Sequence, residues 1–402
     1  MFSLDRFYNT LHSNFVQPLD GQSYHFYPFG TYDNLSFLAR GRYNPRKQQT
    51  ANEPKAGGWL KCYFFDQEPL FNLDPVLSKT IKNISDHPTL PKKLSILANS
   101  EISEQKTQYC RSYSCYDWYY FFHGFAALDW YRDFQYANPT VFDHYQKVFI
   151  CYNHLTSKLR SYRLHLISNL IEKDLAKHGH VSFFLKDPYG TWQETVNDPE
   201  NPMHVLARAK ARRVLSQVTE PLIIDTAEPV GSLSANVDLD QLTSALWHVV
   251  TETIYYDPKL HLTEKIFKPI VAKRPFLLVG APGNLAYLRR YGFKTFDRWV
   301  DESYDLETDH YLRIELITRE LQKLCSMTPT ELKQMHKEMQ EVLDYNFNYF
   351  YGNFKKYIVN EMCDNFNNIL TQVNNGRQPN NHSFYHHRYE LDLEPVKQRL
   401  IG

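Results

Sequence analysis

Residues 147–185 leave this chain little choice of fold. KVFICYN (147–153) is an apolar run with a polar end, and it reads as a buried strand. KLRSYRLHLISNLIEKDLAKHG (158–179) places apolar residues at helical spacing up to a glycine stop, and HVSFFL (180–185) returns to strand. A strand, a helix and a second strand in that order require a crossover, so the sheet is parallel. The alternation continues with strands expected at 220–225 and 274–280 and helices at 262–273 and 283–292. A helix-to-strand region is expected over 238–250, and a helical pattern runs over 306–373. Upstream, YHFYPFG (24–30), LKCYFFD (60–66) and KLSILANS (93–100) read as short buried strands. ARGRYNPRKQQTANEPKAGG (39–58) reads as a basic exposed loop, and the aromatic run 117–134 as a helix against the sheet.

A length of 402 residues gives two or three domains. The expected division is an N-terminal Rossmann-like domain over 1–145, a second α/β domain over 146–350, and a helix and loosely packed tail over 351–402. That last helix could cross back to the first domain. Lys plus Arg and Asp plus Glu both number 45, which argues against a uniformly basic nucleic-acid coat. Six sparse cysteines without a C-x-x-C pair argue against a zinc or disulfide framework. No apolar stretch approaches membrane-spanning length and MFSLDRFYNT has no secretory pattern, so the expectation is a cytoplasmic protein with no membrane partner.

The stretch 251–293 carries the chemistry. Thr263 is placed to cap a helix start, Lys265 supplies a point charge for a phosphate, and Glu264 supplies a carboxylate for vicinal ribose hydroxyls. RPFLLVG (274–280) with its Gly-Ala-Pro-Gly end then closes a βαβ unit, and such strand ends receive ligands in open α/β sheets. The competing reading is an ordinary capped helix with a surface ion pair.

Glu252, Thr263-Glu264-Lys265, an apolar helix, a basic-Pro turn and a Gly-ended strand together resemble the donor-binding motif of fucosyltransferase-like glycosyltransferases. Thr253-Ile254 stands where that family has Asn-Ser, and Leu262 where it has Val. The resemblance covers about 150–300 and implies the GT-B fold: α/β, two Rossmann-like domains facing across a cleft, with C-terminal helices. It implies a nucleotide-sugar donor (UDP- or GDP-linked), no required metal, and inversion at the anomeric carbon. Glu264 would hold the ribose, Lys265 the diphosphate, and Glu252 would lie beside the sugar with a catalytic part. Tyr256 joins the donor-side set. Asn153, with Arg160 or Arg163 opening the next helix, matches a second, weaker element of the family. FFDQEP (64–69) and the whole arrangement also resemble glycosyltransferases of tailed bacteriophages, some of which glycosylate hydroxymethylated pyrimidines in DNA. That implies double-stranded DNA as partner and the host cytoplasm as location. A glycan acceptor is the alternative, and a non-catalytic nucleic-acid-binding protein is the reading from another class.

On the acceptor side, Asp66 is the expected general base with Glu68 beside it, each against the plainer role of capping a turn before Pro69. His123, Trp118, Tyr119 and Arg42 are the acceptor-binding candidates, against core packing for the rings. Arg208, Lys210, Arg212 and Arg213 form a second basic run. Asp238-Leu239-Asp240 reads as a helix cap rather than a metal motif, and His386-His387 as incidental.

Overall fold

A computed structural model describes residues 4–25, 60–67, 69–70, 94–137, 139, 145–224, 238–375 and 391–401. Arg42, Glu68, the loop 39–58 and His386-His387 lie outside the described residues. The chain is α/β and forms two compact units, one of Met1–Asp129 with Lys355–Gly402, the other of Trp130–Phe354. Among the described residues no helix is long and apolar enough to cross a membrane.

The first unit holds a parallel sheet of β1 (Gln22–His25), β2 (Leu60–Phe64), β3 (Leu94–Asn99) and β4 (Cys115–Tyr119), and its order follows the chain. Leu60 pairs with Leu94 and Ser95 with Cys115 in register. Strands buried on both faces carry near-continuous apolar residues, as LKCYF does. The aromatic run expected as one helix over 117–134 divides: β4 takes its first three residues, and a helix spans Phe122–Trp130. The β-propensity of Tyr and Trp decides this, because pleated pairing with β3 buries rings on either side of Asp117. Asp117 itself pairs with Lys106 at 2.9 Å. The tail expected to pack loosely instead ends in a helix, Glu394–Ile401.

The second unit is built on β5 (Lys147–Cys151), β6 (Gly179–Val181), β9 (Ala245–Thr251) and β10 (Phe276–Val279), with a small antiparallel ladder of β7 (Lys186–Asp187) and β8 (Gly190–Thr191) beside them. The four-stranded sheet is parallel and ordered β10-β9-β5-β6. The chain therefore leaves β5 toward β6, then returns to add β9 and β10 on β5's other side. Gly179 faces Phe149 in register, and a Cβ there would lie 2.4 Å from the Phe149 ring, so only glycine pairs at this point. The strand expected at 180–185 is thus shorter and earlier. That expected at 220–225 reduces to one antiparallel bridge between Leu222 and Phe183.

Helix Tyr162–Glu172 is buried over nine consecutive residues, as a helix covered on all sides must be. It packs with helix Val205–Leu215 through Leu164, Ile167, Ala207 and Ala211. Helices His310–Ser326 and Pro329–Tyr351 follow, the latter opened by a Thr328–Glu331 capping box with Pro329 at its first position.

Candidate functional site

In a doubly wound sheet, ligands enter where the strand order reverses, at the carboxyl ends of the two central strands. Here that point lies between β5 and β9, and the residues that follow them are Asn153 and Glu252. The motif residues 252–265 and the Asn153–Arg163 segment therefore share one end of one sheet.

The expected helix at 262–273 is a single 3-10 turn, Glu264–Ile266, running into a short helix, Phe267–Val271. Pro269 and the five-residue length leave little macrodipole, so the turn offers Lys265 as a side-chain cation rather than a strong helix end. Thr263 caps the turn by accepting from the Lys265 amide at 3.4 Å. Glu252 is fully buried. Its Oε2 accepts from the Thr263 hydroxyl at 2.6 Å and the Thr253 amide at 3.3 Å, and its Oε1 accepts from the Thr263 amide at 3.2 Å. The carboxylate expected beside a sugar is thus a strut that holds the cap. Lys265 Nζ donates to Thr263 Oγ1 and to Glu264 Oε1, both at 3.1 Å, and remains partly exposed. Glu264 is buried. The Tyr131 hydroxyl lies 3.5 Å from its carbonyl, and burial followed by the Glu264 and Glu252 carboxylates pushes that phenol's pKa well up.

The two candidate arginines separate cleanly. Arg163 is buried and donates to the carbonyls of Leu155 and Thr251, each at 2.9 Å, and to the Tyr162 hydroxyl at 3.3 Å. It clamps the end of β9 to the loop after β5. The Arg160 side chain, in the 3-10 turn Lys158–Arg160, makes no hydrogen bond or ion pair with a described residue. Asn153 is fully buried. Its amide nitrogen donates to Cys151 Sγ at 3.1 Å, and its Oδ1 has no partner among the described residues. Tyr256 shares a 2.8 Å hydrogen bond with Ser161, and burial pushes its phenol up, so it locks the loop to the Asn153–Arg163 side.

Three of the four connections leaving this sheet end, those after β5, β9 and β10, have backbone amides held by an internal carboxylate. After β5, Thr156 N and Ser157 N donate to Asp187 Oδ2 at 2.9 and 3.1 Å. Ser157 Oγ and Tyr189 N donate to Oδ1, the latter at 2.9 Å. After β9 the carboxylate is Glu252. After β10, Gly283, with φ +84°, turns the chain into helix Asn284–Arg290, and the Leu285 amide donates to Asp305 Oδ2 at 3.0 Å. Burial lifts the Asp305 pKa to about 6 against that hydrogen bond. The Asp-Pro-Tyr-Gly turn signals the bend at Asp187. No local pattern marks Asp305 or Tyr131.

The acceptor-side candidates belong to the first unit's interior. Asp66 follows β2 and is fully buried. Its Oδ1 accepts from the Tyr8 hydroxyl at 2.6 Å and its Oδ2 from the Tyr120 hydroxyl. Burial raises its pKa to about 6 despite those two phenols and the nearby His123. Trp118 is core: its Nε1 donates to the Met362 carbonyl at 3.0 Å, and its ring packs 4.9 Å from Phe15 and 4.8 Å from Phe366. Tyr119 pairs in β4 and its carbonyl accepts from Asn365 at 2.9 Å. His123 is buried edge-on to Phe122. These rings serve packing, not an open stacking face.

The basic run in helix Val205–Leu215 is also engaged within its unit. Arg208 donates to the carbonyls of Met203, Asp198 and Asn201, Lys210 pairs with Glu315 at 2.8 Å, Arg212 donates to Asn197 at 2.9 Å, and Arg213 pairs with Glu172. Asp238 caps helix Leu239–Thr243 by accepting from the Gln241 amide at 3.2 Å, as expected. Among the described residues no group of three metal-ligating side chains assembles. No protein-family model, curated protein or solved structure matches the chain.

Proposed function

We propose that the chain is a nucleotide-sugar-dependent glycosyltransferase of the GT-B class, with the donor taken by the Trp130–Phe354 unit. The observation that carries this reading is the convergence of Asn153, Arg160, Thr263, Glu264 and Lys265 at the carboxyl end of a doubly wound sheet, at its reversal point. In this reading Lys265 and Arg160 face the diphosphate as side-chain cations, and Glu264 accepts from ribose hydroxyls. Glu252 and Arg163 position the turn and the strand end rather than touching the sugar. The acceptor oxygen forms its bond to the anomeric carbon as the bond to the diphosphate breaks. The nucleoside diphosphate leaves with the electron pair, and the acceptor's proton passes to a base.

The acceptor proposed is a hydroxymethylated pyrimidine in DNA. The test is mass spectrometry of hydroxymethylcytosine-containing duplex and of a glycan panel, each incubated with UDP- and GDP-linked sugars. A sugar mass added to the base supports the reading in full. Transfer to a glycan moves the acceptor, and no transfer or nucleotide-sugar hydrolysis with either overturns the reading. Lys265→Ala is expected to weaken nucleoside diphosphate binding by about tenfold or more, the size of a lost charge-assisted contact, with an unchanged unfolding transition. Calorimetry that finds equal affinity removes Lys265 from the site.

A further inference from the structure

We propose that Asp187 is an internal competitor for the anionic ligand: its carboxylate occupies a cradle in the loop after β5, and a phosphoryl group of the ligand displaces it. Two consecutive backbone amides, Thr156 and Ser157, and the Ser157 hydroxyl converge on this single carboxylate, the donor set of a small anion nest, while the Tyr189 amide closes Asp187's own turn on it. The nest lies at the strand-order reversal, where a parallel sheet receives its ligand. Naming the ligand a nucleoside diphosphate rests on the reading above; the cradle itself does not.

Two further observations in the same loop point to a ligand. Arg160 follows the cradle by three residues, and its side chain has no hydrogen bond or ion pair with a described residue, so a cation stands ready beside the nest. Asn153, at the loop's root, is fully buried with an Oδ1 unpartnered among the described residues. An amide oxygen accepts from a hydroxyl or an N–H, and a nucleoside carries both.

Asp187 differs from the other two internal carboxylates in what holds it. Glu252 reaches Thr263 across its own buried connection, and Asp305 lies in a buried turn that also takes the Gly283 amide through its carbonyl at 2.7 Å. Asp187 belongs to a ladder of two residues per strand, fastened to the β5 loop by its own carboxylate and by Lys158 lying 4.3 Å over the Tyr189 ring. Leu185 and Trp192, on either side of the ladder, stay packed in the core, so exchanging the Asp187 carboxylate for a phosphate moves only the ladder and its turn.

The test uses the full chain and calorimetry with pyrophosphate, UDP and GDP. Asp187→Asn keeps the side chain's size and removes the competing charge, so pyrophosphate is expected to bind about tenfold tighter than to wild type. Equal or weaker binding overturns the proposal. Because that variant could loosen the loop, the second measurement is made on wild type: hydrogen exchange with and without saturating pyrophosphate. The backbone amides of the β7–β8 ladder are expected to lose protection while those of Thr156 and Ser157 keep theirs, and retained protection throughout the ladder overturns the proposal. Tighter binding by Asp187→Asn without any sugar transfer retires the glycosyltransferase reading and leaves the cradle. Sugar transfer with unaltered binding does the reverse.

Discussion

The two units each carry a four-stranded parallel sheet, yet the carboxyl ends of those sheets differ in strand order and in what surrounds the acids that follow β2 and β9. In the first unit the described strands follow chain order, so no reversal opens between neighbours, and the end of β2 is closed by rings. Asp66, after β2, is bound by two phenols and burial dominates its titration, whereas Glu101, after β3, accepts from the Leu70 amide. In the second unit the order reverses beside β5. The acids there, Asp187, Glu252 and Asp305, sit on backbone amides, with Arg160 and Lys265 nearby in the chain's turns. A carboxylate placed on amides organises a strand end.

That contrast is open to breakage, beginning with its largest member. Arg163→Met deletes the clamp across the ends of β5 and β9 and leaves the Thr251 and Leu155 carbonyls buried without their donor. The expected loss is about 3–5 kcal/mol in denaturant unfolding. A loss below 1 kcal/mol, on the order of an ordinary surface substitution, shows that the strand ends are held by something else.

Asp66 has the opposite sign. Its folded pKa lies above the unfolded 3.8, so its contribution is fully present below about pH 4 and is lost as pH rises through about 6. For a fully buried group that shift corresponds to about 3 kcal/mol of penalty at pH 8. Asp66→Asn is therefore expected to stabilise the first unit by up to that amount at pH 8 and to be near neutral at pH 4. Urea midpoints at the two pH values check it, and a variant less stable at pH 8 shows that the charged form is favoured by its phenols after all.

Glu252→Gln comes next, at about 1–3 kcal/mol, because an amide cannot accept from Thr263 through both of its terminal atoms. Its signature is a raised KM for the donor with kcat little changed, since it acts through the cap. A collapse of kcat at unaltered KM restores Glu252 to the reacting atoms. The smallest effect on stability is that of Arg160→Ala, within about 0.5 kcal/mol for a side chain without a hydrogen bond or ion pair to a described residue. The same variant is expected to weaken nucleoside diphosphate binding by about tenfold, and equal affinity removes Arg160 from the site.

Much of the second unit is legible from the sequence. KVFIC, ALWHVVT and FLLV are predominantly apolar runs, and the caps at Asp238 and Thr263 follow from side-chain chemistry one to three residues long. The aromatic run 117–134 misleads because Tyr, Trp and Phe suit a buried strand and a buried helix alike, and only pairing with β3 separates Trp118 from Phe122. The candidate site divides in the same way. Thr263 and Lys265 announce themselves by position, whereas Arg160 and Arg163 look interchangeable until one is seen clamping Thr251, 88 residues away.

The sequence by itself determined the parallel α/β character, the turn at Thr263-Glu264-Lys265 and the kinds of side chain gathered there. Periodicity, capping and charge act over a few residues, and a few residues are enough to read them. Tertiary structure alone decided that β9 lies against β5 rather than β6, which of two arginines is a clamp, and that Asp187, Glu252 and Asp305 each cover one connection. Those outcomes depend on contacts between segments far apart in the chain. No local pattern encodes which buried amide a distant carboxylate will reach.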